Sequence, residues 1–169
     1  MSNKFLALIV GLLMLSSTQA FAEEFTTVYI VRHAEKIDGV ANPSLTDAGQ
    51  VRADELARII SDDGIDAVYV TGYARTQETG APTAMLAGIE VTEYPAGDAQ
   101  FVADQILADH AGGRVLVVGH SNTVDDIARA LGATDVSDLT EQQYDPLFVI
   151  HRFGEDAHFD RMRYGVPTP

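Results

Sequence analysis

The chain predicts one α/β domain built as three layers, α/β/α, with a mainly parallel sheet and an antiparallel C-terminal edge. Three observations predict it. Short apolar, β-branched runs at Phe25–Val31, Asp66–Val70, Ile89–Tyr94 and Arg114–Val118 alternate with helical patterns, as a parallel sheet covered on both faces requires. Two further strand-like runs, Leu147–Phe153 and His158–Tyr164, have no helix between them, only Gly154-Glu155-Asp156, which predicts a hairpin. The length, 169 residues, suits one domain with a real core, and no repeat or linker divides it.

The N-terminus stands apart from this pattern. Lys4 is the one charged side chain before Glu23, Phe5 to Leu15 is apolar but for a glycine, and Ala20-Phe21-Ala22 has the small-x-small form of a cleavage site. Residues 1–22 therefore predict a signal peptide, too short in its apolar run to span a bilayer, and residues 23–169 the domain. The expectation is an exported protein, periplasmic or secreted, with no stable membrane insertion after cleavage.

The elements follow in order. The first strand leads into a loop, Ile37–Ser44, containing Gly39 and Pro43. Thr46 reads as a helix N-cap with Asp47 favourable in the first turn, and Ala53, Leu56, Ala57 and Ile60 form one apolar face up to Gly64. Tyr73–Leu86 reads as a helix that Pro82 should bend or shorten, stopped by Gly88. Asp98–His110 carries Ala99, Val102, Ala103 and Ile106 on one face and closes at Gly112-Gly113. The fourth strand is followed by Val124, Ile127, Ala128 and Leu131 at the same spacing, with Gly132 as the stop, and then by an acidic loop, Asp135–Asp145.

Composition excludes several chemistries. There is no cysteine, hence no disulfide, no thiol catalysis and no Cys-ligated zinc. A net charge of −14 disfavours nucleic acid and anionic membranes as partners. An anionic ligand would need a local cationic pocket.

The sequence supplies one. In an open α/β sheet, chemistry sits beyond the carboxyl ends of the strands. Arg32 and His33 end the first strand, Arg75 lies on the strand–helix turn Thr71–Thr76, and Gly119-His120 ends the fourth strand. An arginine fork grips two phosphate oxygens, and a helix N-terminus offers free N–H groups to an anion. Gly119 lets the backbone approach a ligand closely, and Ser121 or Asn122 could cap the next helix. Two arginines and two histidines at three strand ends are suited to stabilising a phosphoryl group. The other candidates have blander readings. Arg52 could contribute to the site, but a surface or helix-packing role is favoured, and His110 sits at a helix C-terminus. His151 and His158 lie in strands at no compact ligand spacing, so no metal is expected. Arg152, Arg161 and Arg163 either balance local acid or rim a site.

These residues resemble the histidine phosphatase superfamily. Arg32-His33-Ala34-Glu35 is similar to its Arg-His-Gly-Glu motif, and Arg75-Thr76-Gln77-Glu78-Thr79 to the string around its second arginine. Gly119-His120 matches its second histidine, and Leu45–Ala53 its Leu-Thr-x-x-Gly-x-x-x-Ala helix start. The resemblance spans Val28 to Leu131. It implies a metal-independent phosphatase without cofactor, acting on a small phosphorylated substrate. His33 would attack phosphorus and become a covalent phosphohistidine, while Arg32, Arg75 and His120 hold the phosphoryl oxygens. Attack needs a neutral nitrogen on His33, so a backbone carbonyl, unnamed by the sequence, should fix its tautomer. The chain departs from the family at Ala34 in place of glycine, and it has no Trp-Glu-Gly acid motif. Asp98 and Glu93 are the nearest leaving-group acids, with Asp98 slightly favoured; their other roles are helix N-cap and solvated strand residue. The inserts of phosphoglycerate mutases are missing, so the size is closer to the small phosphohistidine phosphatases. The competing functions are a phosphoglycerate mutase-like phosphotransferase and a catalytically silent phospholigand-binding domain. The intact His33, Arg32, Arg75 and His120 argue against the silent domain.

Overall fold

A computed structural model of the protein describes residues 25–169; the expected signal peptide lies outside the described residues. The elements run β1 (Phe25–Arg32), α1 (Asp47–Ile60), β2 (Ala67–Val70), α2 (Ala74–Ala87), β3 (Val91–Glu93), α3 (Ala99–Asp109), β4 (Arg114–Gly119), α4 (Val124–Ala130), β5 (Pro146–Phe153) and β6 (Asp156–Arg163). They form one six-stranded sheet in the order β3-β2-β4-β1-β5-β6. The first four of these are parallel, and β5 and β6 add the antiparallel edge. This is the expected three-layer architecture.

The layers follow from the apolar patterning. In β4, Val115 and Val117 face one core while Leu116 and Val118 face the other, and all four are fully buried. A strand covered on both faces must read as a continuous apolar run. Leu56 and Ile60 of α1 and Ala84 of α2 complete the core on one face; Val102, Ile106, Val124 and Ile127 of α3 and α4 complete the other. Each such aliphatic side chain contributes about 1.5–3 kcal/mol by leaving water. Thr46 caps α1 as expected, its Oγ1 accepting from Gly49 N at 3.1 Å.

Three local expectations change. β3 is only three residues long, because it pairs at the sheet edge with Val68–Val70 alone. Helix α2 runs through Pro82 to Ala87. It lies flush on the sheet, where a Cβ on Gly80 would come within 2.8 Å of Val70 Cγ1, and Thr83 and Ala84 beyond the proline are buried. Packing on both sides of Pro82 holds the helix together. Neither Ser121 nor Asn122 caps α4: its N-cap is Thr123, whose Oγ1 instead accepts from His120 N at 3.0 Å.

The connections create a crevice. The chain leaves β1 for α1 on one face and leaves the neighbouring β4 for α4 on the other. Ligands bind where strand order reverses in this way, beyond the carboxyl ends of the two strands. Arg32 is the register partner of Gly119, and His33 N donates to Gly119 O at 2.9 Å. The two His-bearing strand ends are thus laced together by the sheet.

Candidate active site

Arg32, His33, Arg75 and His120 converge in this crevice. The His33 and His120 rings stand edge to face, with centroids 5.5 Å apart. His33 is 3 % exposed and its Nδ1 lies 2.8 Å from Ala34 O. A carbonyl only accepts, so Nδ1 carries the proton and Nε2 keeps a free lone pair. The carbonyl that fixes the tautomer is therefore that of Ala34. Burial, with the charges of Arg32 and Arg75 and the nearby His120, pushes the His33 pKa down to about 3. The ring is neutral across the physiological range.

His120 is held on both nitrogens. Arg75 Nη2 donates to Nδ1 at 3.4 Å, so Nε2–H donates to Thr71 Oγ1 at 3.1 Å. Thr71 Oγ1 is bonded in turn to Thr76 Oγ1 at 2.8 Å, and Thr76 donates back to the carbonyls of Thr71 and Tyr73. The threonines at the β2–α2 turn are an anchor for the second histidine. Burial first, then Arg75 and Arg32, lowers the His120 pKa to about 4.

The two arginines differ in setting. Arg75 stacks over the Tyr73 ring at 4.4 Å, and burial and the charge of Arg32 pull its pKa below the ordinary arginine value. Arg32 is 2 % exposed and covered by the loop before β5. Its Nη1 donates to the carbonyls of Glu141 (2.6 Å), Thr140 and Gln143 (both 3.3 Å). Its Nη2 reaches Glu141 Oε2 at 3.0 Å and Tyr144 Oη at 3.4 Å, and the Tyr144 ring lies 4.1 Å from the guanidinium. In both arginines the Nε is buried without a partner. A buried donor left unpaired costs about 1–3 kcal/mol, so these two N–H groups mark where an acceptor belongs.

The motif residues around the site are ties. Thr79 Oγ1 accepts from Ala34 N at 3.0 Å and donates to Arg75 O at 2.7 Å, linking both arginine-bearing segments. Glu78 Oε2 accepts from Leu45 N at 2.7 Å. A Cβ on Gly49 would fall 2.2 Å from Glu35 O, which explains a glycine at the start of α1. Arg52, read as surface or helix packing, is a buried clamp: it grips the Glu35 carboxylate through Nε and Nη2 and the carbonyls of Tyr164 and Val166 through Nη1 and Nη2.

Of the two acids, Asp98 caps α3, its Oδ1 accepting from Phe101 N at 3.0 Å. Glu93, at the end of β3, accepts from Gln77 Nε2 at 3.0 Å, and the same amide donates to Thr71 O. Glu93 is thereby tied to the turn that holds His120. His151 and His158 are register partners on β5 and β6, and His151 lies opposite Thr27, at the far end of β1 from His33. His110 is the C-cap of α3. Arg163 pairs with Asp145 at 2.7 Å, Arg152 donates to the carbonyls of Leu131 and Gly154, and Arg161 lies over Phe148. None of these reaches the crevice. The sequence reading missed Tyr144 and Glu141, which sit in an irregular loop with no periodicity, and the threonine chain through Thr71.

A neutral histidine with a free Nε2, a second histidine and two arginines with unmet N–H groups are chemically suited to holding an oxyanion beside a nucleophile. Comparison points the same way. The family model described as histidine phosphatase superfamily (branch 1) matches residues 28–96 of this chain. Among solved structures it is similar to the protein histidine phosphatase SixA complexed with tungstate, at 19% identity and a TM-score of 0.67, covering 81% of this chain and 96% of that one. A putative phosphohistidine phosphatase SixA from Agrobacterium tumefaciens follows at 21% identity and a TM-score of 0.60, covering 81% and 97%. A mycobacterial glucosyl-3-phosphoglycerate phosphatase shares the fold at 12% identity and a TM-score of 0.66, covering 84% and 100%. No curated protein matches the sequence.

Proposed function

We propose that the protein is an exported, metal-independent phosphatase that hydrolyses a small phosphomonoester or phosphoramidate through a covalent phosphohistidine on His33. The observation that carries this reading is the hydrogen bond from His33 Nδ1 to Ala34 O, which leaves Nε2 unprotonated on a ring that stands beside His120. In the first step Nε2 forms a bond to phosphorus and the bond to the leaving group breaks. Arg75, Arg32 and His120 stabilise the equatorial oxygens, where charge spreads in the transition state. Glu93 supplies the leaving group's proton, since Asp98 is committed to a helix cap. Water then attacks the phosphohistidine, returning the histidine and releasing phosphate. SixA, a named protein histidine phosphatase that binds tungstate, supports the choice of a phosphoryl ligand.

The test is turnover of p-nitrophenyl phosphate by the purified mature protein in EDTA. Steady release of phosphate to water is the expected result. Loss of turnover on chelation, restored by one divalent metal, would overturn the metal-independent reading. Export is checked by N-terminal sequencing: a chain beginning at Glu23 is expected, and an intact Met1 on exported protein would contradict it.

A further inference from the structure

The loop that covers Arg32 also brings a carboxylate to the phosphoryl pocket. The three carbonyls on Arg32 Nη1 already receive that side of the guanidinium. Glu141 adds a charge to the other side: Oε2 takes Nη2 at 3.0 Å, and Oε1 accepts from Ser121 Oγ at 2.5 Å, next to His120. The side chain is 72% exposed, so it is no part of the core. Any second negative group on a substrate would meet this carboxylate beside the phosphoryl group, and a positive group would be drawn to it.

Glu141 and Ser121 are also the shared wall of a second hollow, about 370 Å³, lined by Asp125, Asp126, Asp138 and Arg129. Arg129 donates to Asp125 Oδ2 and Asp126 Oδ1 at 2.9 Å each and to Asp138 Oδ1 at 2.6 Å. One guanidinium thus faces three carboxylates, and Glu141 makes a fourth. Asp125 is 6% exposed, yet its buried Oδ1 has no hydrogen-bond partner. Burial, and then a side-chain hydrogen bond with Asp138, push the Asp125 pKa up, so the negative charge of this wall rests on Asp126, Asp138 and Glu141.

We propose that Glu141 makes the pocket selective for phosphomonoesters whose leaving group carries an ammonium group, which lies between Glu141 and the Asp126 and Asp138 carboxylates. This rests on the phosphatase reading and names its substrate class. Glu141 is exposed, and glutamine in its place keeps its length and an oxygen for Arg32 Nη2 while removing the charge.

The experiment compares three phosphate esters built on one two-carbon chain: O-phosphoethanolamine, propyl phosphate and 3-phosphooxypropanoate, with an ammonium, a methyl and a carboxylate on the same carbon. The wild-type protein should rank them in that order, with kcat/KM spanning at least about tenfold. Glu141→Gln should compress the span to within about threefold, chiefly through KM. Asp54→Asn, an exposed change of the same charge on α1, should leave the span intact. Equal ranking by the wild type, an uncompressed span in Glu141→Gln, or equal compression by Asp54→Asn would overturn the proposal. Calorimetric binding of the same three esters is measured in parallel. If no ester is turned over, the phosphatase reading fails, while the order of affinities and its loss in Glu141→Gln still decide the role of Glu141.

Discussion

Arg52 and the pair Arg32 and Arg75 are the same residue type put to opposite uses. Arg52 has a carboxylate and two carbonyls on its donors, and burial, which works against its charge, is outweighed by Glu35, which holds its pKa above the ordinary value. Arg32 is buried too and Arg75 half-buried, but each keeps a buried Nε with no partner, beside two histidines that burial holds neutral. Arg152 also has an unpaired buried Nε but stands away from the crevice; the place of Arg32 and Arg75 beside the two histidines is what sets them apart.

Exchanging the fork for a point charge sharpens the contrast most. Lysine at Arg75 keeps the charge but cannot make two parallel bonds to a phosphoryl group. Losing one such donor typically costs about 2.7–4 kcal/mol, or roughly 100- to 1000-fold in rate. Arg75→Lys is expected to lose that much in kcat with melting unchanged; kcat within threefold of wild type would refute the role.

Arg52→Ala should do the reverse. Breaking a buried ion pair by removing one partner costs about 3–5 kcal/mol, and the lower end applies because Glu35 is 23% exposed. The expected fall in Tm is roughly 6–12 °C, read by thermal denaturation. The folded fraction should retain its kcat. A large loss of kcat without a loss of Tm would merge the two classes of arginine and break the comparison.

The smallest effect is on pH dependence. Folded His33 and His120 titrate at about 3 and about 4 instead of 6.5, because burial disfavours their charged forms. Between those values and 6.5 the unfolded chain binds more protons than the folded one, so these residues remove stability as pH falls through that window. Tm should drop between pH 7 and pH 5, above the range where most carboxylates titrate, and His120→Asn should flatten part of that drop. An equally steep drop in the variant would mean that His120 is charged in the folded protein.

Much of this was legible in the sequence where one-dimensional pattern and three-dimensional role coincide. β4 is buried on both faces, so its residues had to be apolar throughout, and they announced both the strand and its end at Gly119-His120. Arg32, His33, Arg75 and His120 could be singled out because each follows a strand. Glu141 and Tyr144 could not, because they reach Arg32 from a loop more than a hundred residues away and obey no period. Arg52 was read as ordinary packing because its partners, Glu35 and the tail at Tyr164 and Val166, meet only in the fold. Asp98 shows the converse: its local signal as a helix cap was sound, and the cap is what its carboxylate does.

The central claim is that Nε2 of His33 is the nucleophile. It is tested most directly by quenching the protein during turnover of a radiolabelled phosphoester and mapping the acid-labile phosphoryl group by mass spectrometry and phosphorus NMR. The account predicts one phosphoryl group on Nε2 of His33, absent from His33→Ala and still trapped in His120→Ala. Label on His120, label on Nδ1 of His33, or wild-type labelling of His33→Ala would contradict it.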